Sequence, residues 1–138
     1  MSVNVSAVLN SKRRTKFTFG CFHGYPNNPY LTVERALSDD DSFGQTEWMK
    51  VFQTPVQYDT VEPEFPQVTI KLQRLCDGNK NLPIKWSVWS LVGEGWKLYG
   101  DTVQSLTDID RQGEKQIILK NEKNKNAGYI IFDNFKVI

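Results

Sequence analysis

Short runs of alternating apolar and polar side chains recur along the whole chain, and each run is cut by Gly, Pro, Asn or Asp. A period of two puts successive side chains on opposite faces of a strand. Turn residues at each break send the chain back beside itself, which is the signature of an antiparallel all-β fold. Val3 to Leu9, Phe17 to Cys21, and Pro29 through Glu34 open the series, with Pro29 tolerated because a strand start needs no N–H there. Trp48 to Gln53 returns. Thr54 to Pro66 then reads as an irregular crossing. Val68, Ile70 and Leu72 point one way and Thr69, Lys71 and Gln73 the other, so this stretch is predicted as an amphipathic strand. Ile84 to Trp89, a short strand near Leu98 and Tyr99, Ile117 to Leu119, and Tyr129 to Val137 complete the pattern, with one helical turn fitting between Val103 and Ile109. Helical periodicity is otherwise nearly absent. The expected architecture is an eight-stranded antiparallel β-sandwich.

A chain of 138 residues has room for one ordinary core. Seventeen Lys and Arg against sixteen Asp and Glu leave a net charge of +1, so no global field drives the molecule onto nucleic acid. No run approaches the roughly 18 to 20 apolar residues that span a bilayer, and the N-terminus lacks a signal-peptide pattern. A soluble, cytoplasmic protein is expected. The two cysteines, Cys21 and Cys76, are too few for a disulfide scaffold and match no thiolate metal spacing, so both read as small buried side chains. His23 shares a strand face with Cys21, but no orienting group or oxyanion site accompanies the pair, and it reads as a strand-end Cys beside a loop His. Ser38-Asp39-Asp40-Asp41-Ser42 lacks the alternate spacing of a calcium loop and reads as a solvated hairpin tip. No nucleophile elbow, phosphate loop or zinc-protease helix occurs, so neither catalysis nor a cofactor is predicted.

Four motifs fall in order along the strands. Asn28-Pro29-Tyr30-Leu31 stands where C2 domains carry Ser-Asp-Pro-Phe/Tyr-Leu. Glu62-Pro63-Glu64-Phe65 matches an Asn-Pro-x-Trp/Phe strand entry, and Ile70 to Leu75 with Cys76-Asp77-Gly78-Asn79 matches a Leu-Cys-x-Gly-Asp corner. Lys123 to Ile131 reads like a Lys-rich loop before an Asn-Ser/Ala-Gly strand start. Over about four fifths of its length the chain thereby resembles the second C2 domain of the copines, cytosolic phospholipid-binding proteins. The resemblance implies a C2-type sandwich over residues 15–138. Residues 1–14 are set apart as a strand and linker similar to the end of the preceding copine domain, as if the module came from a longer protein.

C2 domains that respond to calcium hold it with aspartates from two loops at one end. Here Asn28 stands at a first-loop Asp position, and Ser90 and Val92 stand where the third loop of copines carries aspartates. Calcium needs about six to eight oxygen ligands, several of them carboxylates, so these degenerate positions predict no metal at the usual site. Fixed features must then do the docking. The loop tips are apolar and aromatic: Phe22 and Tyr25 in one, Leu91, Val92 and Trp96 in the other, which suits a lipid headgroup layer, although such residues also close the end of a core. Residues 34–64 hold eight acids and two bases, a local charge of −6. A compensating basic patch is assigned to Lys71, Arg74, Lys120, Lys123 and Lys125, each worth about 1 kcal/mol beside an anionic leaflet, against the plainer reading of a solvated strand face. The expected function is calcium-independent docking on anionic phospholipid or on a protein partner. The rivals are a protein-binding scaffold without lipid affinity and a carbohydrate-binding sandwich.

Overall fold

The computed structural model describes residues 2–9, 28–37, 47–60, 63–113 and 115–136. They form, in chain order, β1 (Ser2–Leu9), β2 (Pro29–Ala36), β3 (Trp48–Gln53), β4 (Val68–Thr69), α1 (Leu72–Cys76), β5 (Ile84–Val92), β6 (Gly95–Val103), α2 (Leu106–Asp110), β7 (Gln116–Lys120) and β8 (Asn126–Lys136). Strand neighbours follow the order β3-β2-β5-β6-β7-β8-β1-β4, and the pairings are antiparallel. Between β6 and β7 the ladder thins to one pair, Asp101 with Lys120. There the sheet folds over itself into two layers, β3-β2-β5-β6 and β7-β8-β1-β4.

Alternation decides what lies between the layers. Leu31 and Val33 of β2 pair with Val88 and Trp86 of β5, and all four are buried together with Ile84. The second layer contributes Ile117, Leu119, Ile130 and Phe132, while the intervening Ile118 is exposed. Trp86 and Phe132 meet across the core edge-to-face, ring centroids 5.1 Å apart at 77°, the geometry aromatic quadrupoles favour. The indole N–H of Trp86 donates to the Gln104 carbonyl at 3.0 Å, so its burial leaves no orphan donor. Gly100 sits at the fold between the layers. A Cβ there would stand 3.0 Å from Leu119 Cβ, 3.1 Å from Ala127 Cβ and 3.2 Å from the Lys120 carbonyl, so close approach of the two layers depends on the missing side chain.

Two sequence expectations change. The strand predicted through Gln73 ends at Thr69, and Leu72–Cys76 is helical, with Lys71 at its N-cap rather than on a strand face. The helix buries Leu75 and Cys76, and left-handed Asp77 and Gly78 reverse the chain after it, their N–H groups donating to the Gln73 and Leu72 carbonyls at 3.1 Å. The short strand near Leu98 is the nine-residue β6. The strand expected within residues 1–14 is β1, which runs between β8 and β4, with Val5 in register with Phe132 and Val3 with Val68. The predicted strand Phe17 to Cys21, His23 and the acidic run Asp39 to Asp41 lie outside the described residues.

At one end of the sandwich α2 is capped reciprocally. Ser105 Oγ accepts from Asp108 N at 3.1 Å and Asp108 Oδ2 accepts from Ser105 N at 2.9 Å. Both helices close this end, since α1 leads into the start of β5 and α2 leaves the finish of β6. The opposite end holds the start of β2, the β5–β6 turn and the crossing after β3.

Candidate functional site

Asn28 immediately precedes β2 at that loop-bearing end and is buried. Its backbone N–H donates to Ser90 Oγ at 3.2 Å, and its carbonyl accepts from Leu91 N at 3.0 Å. Its side chain reaches two ways: Nδ2 donates to the Leu91 carbonyl at 3.2 Å, and Oδ1 accepts from Asp59 N at 2.9 Å. A carbonyl on one side and an N–H on the other suit an amide and no other side chain of this size. The clasp therefore ties the entry of β2, the end of β5 and the crossing after β3 to one another. Ser90, 4% exposed, spends its hydroxyl oxygen on the same clasp.

The crossing is fastened at two more points. Thr54, buried, receives Leu31 N on Oγ1 and gives its own N–H to the Leu31 carbonyl, both at 2.9 Å. The Gln57 amide mimics a strand neighbour, donating to the Glu64 carbonyl and accepting Glu64 N. Gln57 N also donates to the Pro29 carbonyl at 2.9 Å, which holds residues 57–59 level with the start of β2. Tyr58, between these anchors, is 69% exposed. Sequence reasoning passed over it, because nothing in an irregular stretch tells which side chain points outward.

Of the tip residues predicted for lipid contact, Leu91 is half-buried and Trp96 is 52% exposed, facing each other across the β5–β6 ladder. Trp96 leans edge-to-face on Tyr30, ring centroids 4.7 Å apart at 75°, and burial pushes the Tyr30 phenol up from its ordinary pKa. Behind it the Trp89 indole N–H donates to Thr32 Oγ1 at 3.0 Å. Val92 lies at the end of β5, with only its backbone described. Phe22 and Tyr25 lie outside the described residues.

The five basic residues do not form one patch. Lys71 and Arg74 belong to α1 at the helical end, and Arg74 Nε donates to the Val51 carbonyl on edge strand β3 at 3.1 Å. Lys120, Lys123 and Lys125 lie on the β7–β8 hairpin, which turns at the end where Asn28 sits, because β7 runs antiparallel to β6 where they meet. Asn121 shapes that turn by accepting Lys123 N and Lys125 N on Oδ1, both at 3.0 Å. Among the described residues no three His, Cys, Asp or Glu side chains gather into a metal-holding group. Cys76 is buried, its Sγ donates to the Leu72 carbonyl at 3.4 Å, and burial pushes its thiol pKa up, which suits packing rather than reactivity. No helix among the described residues is long and apolar enough to cross a membrane.

No family profile matches the chain. Copine-A of Dictyostelium discoideum is 27% identical over 120 residues, 85% of this chain, and the chain spans 18% of that protein's length. The solved structure of BON1-C2B superposes with a TM-score of 0.68 at 17% identity, covering 98% of this chain and 88% of that one. A CC2D1B structure superposes with a TM-score of 0.56 at 18% identity, covering 95% of this chain and 51% of that one.

Proposed function

We propose that this chain, similar in sequence to Copine-A and in fold to BON1-C2B, is a noncatalytic C2-type module that docks on anionic phospholipid surfaces without calcium. One observation carries this reading. The positions where calcium-responsive relatives place carboxylates hold Asn28 and Ser90, and their oxygens are committed to Asp59 N and Asn28 N. A divalent ion entering here would have to displace one buried and one partly buried hydrogen bond and would gain few anionic ligands in return. The clasp performs the ion's architectural task, because it binds three segments of the rim together, while offering no positive charge to a headgroup. Attachment then rests on the exposed Trp96, with half-buried Leu91 beside it, and on lysines, and it is weak and salt-sensitive.

Cosedimentation with vesicles of phosphatidylcholine and phosphatidylserine, in calcium and in chelator, tests the reading. Equal binding in both is expected. Binding that appears only with calcium overturns the calcium-independent mode, and no binding at low salt removes the lipid surface as the partner.

A further inference from the structure

Strand β3 ends the sheet on one side, and its hydrogen bonds tell which of its backbone groups face outward. Leu37 N donates to the Glu47 carbonyl at 3.0 Å, one step beyond the Ala36–Trp48 pair in the same register. Bonded and unbonded pairs alternate along an antiparallel ladder. Met49 therefore bonds Arg35, while Trp48 and Lys50, opposite Ala36 and Glu34, turn their N–H and C=O groups to the open edge. One residue further the ladder bulges at Val51, and the Arg74 guanidinium sits on the Val51 carbonyl at 3.1 Å. The open stretch is thus confined to Trp48, Met49 and Lys50. Trp48 and Lys50 share one face of the sheet with Lys85, whose Nζ stands 4.7 Å from the Trp48 ring centroid. Met49, on the other face, is 38% exposed. Lys50 is exposed, and its Nζ donates to exposed Gln53 Oε1 at 2.9 Å, a bond that water or another partner can replace.

We propose that this stretch is the contact of a homodimer, in which β3 of two copies pair antiparallel about a two-fold axis at Met49. The stretch is complementary to itself in one register. Opposing Trp48 to Trp48, or Lys50 to Lys50, engages the outward groups of a single residue from each copy, and the second choice also sets like charges face to face. Opposing Trp48 to Lys50 engages the outward groups of both residues in both copies. Each Lys50 ammonium then lies beside the indole of the second copy, an attractive arrangement on a ring that already receives Lys85. The two Met49 side chains meet at the axis and cover apolar surface that is now open. A foreign strand gains no more from this edge, because Arg74 halts pairing after Lys50 whatever its length, whereas a second copy is matched at every open position. So short a contact makes a weak, concentration-dependent dimer. It leaves the loop-bearing end free and stands apart from the lipid reading.

Sedimentation velocity of the whole chain over a concentration series tests the dimer, and a reversible monomer–dimer equilibrium is expected. Lys50→Glu should weaken it about tenfold, the effect of losing a cation–π contact from each half of the interface. Engineered thiols report the register in a Cys21→Ser background. Met49→Cys should crosslink the two copies under mild oxidation, because directly opposed residues of an unbonded pair lie about 4.5 Å apart, within disulfide reach. Lys50→Cys should crosslink far less, because its counterpart lies diagonally, about 7 to 8 Å away. A chain that stays monomeric throughout the series overturns the proposal. So does dimerisation that Lys50→Glu leaves unchanged, or crosslinking of Lys50→Cys as fast as that of Met49→Cys.

Discussion

The Asn28 amide shows how much one side chain can decide. Substituting aspartate keeps an acceptor for Asp59 N but replaces the Nδ2 donor with an anionic oxygen facing the Leu91 carbonyl. Leaving buried polar groups unpaired costs about 1 to 3 kcal/mol. Asn28→Asp should therefore lower the denaturation midpoint, and calcium should not restore it, because one added carboxylate falls short of the several the ion needs and no metal-holding group of three His, Cys, Asp or Glu side chains gathers among the described residues. Chemical denaturation with and without the ion checks this, and a variant rescued by calcium would show that the rim remains a latent metal site. Gly100 is the second decisive residue. With three neighbours within 3.2 Å of a notional Cβ, Gly100→Val forces the layers apart and should cost about 1 to 3 kcal/mol, as overpacking does. An unchanged thermal midpoint would mean the junction is softer than its geometry implies.

Among the elements, β3 is an outer strand of the sheet, and its Val51 carbonyl is occupied by the Arg74 guanidinium from α1. Edge carbonyls left open invite pairing with another chain. Arg74→Ala should raise concentration-dependent self-association, read by light scattering, with little change in secondary structure, and a variant no more associative than the parent would deny α1 this guarding task. For α2, Ser105→Ala removes an N-cap acceptor and should cost about 1 kcal/mol, seen as a lowered melting temperature. Elements with a clean period of two were legible: Ile117 and Leu119 are buried and Ile118 exposed, as alternation requires. Leu72 to Cys76 was not, because Leu72, Leu75 and Cys76 also satisfy helical spacing, and over so few residues both periods fit. The clasp was legible in identity and not in role. Asn28 stood out as a carboxylate position lacking its charge, but its partners Asp59 and Leu91 lie 31 and 63 residues away, a separation no local pattern reports.

For the molecule as a whole, burial pushes two acidic groups up, the Cys76 thiol from 9.0 and the Tyr30 phenol from 10.0. An unfolded chain gives up these protons at the ordinary values while the folded one retains them. The stability is present in full below those values and falls as pH rises through and beyond them. Melting temperatures should be flat near neutrality and decline above about pH 9, and a midpoint steady to strongly alkaline pH would mean that neither group stays protonated in the fold.

The antiparallel pairing of Ser2 with Lys136, at opposite ends of the chain, sets an order on assembly. Closing so long a loop is slow. On the ribosome, β2, β3, β5 and β6 can pair as soon as residue 103 has cleared the exit tunnel. Strand β1, made before them, must wait without its β8 neighbour until residue 136 has emerged. During that interval β1 is the segment a chaperone would hold, and a premature stop after β7 would leave it stranded with a finished half-barrier of sheet beside it.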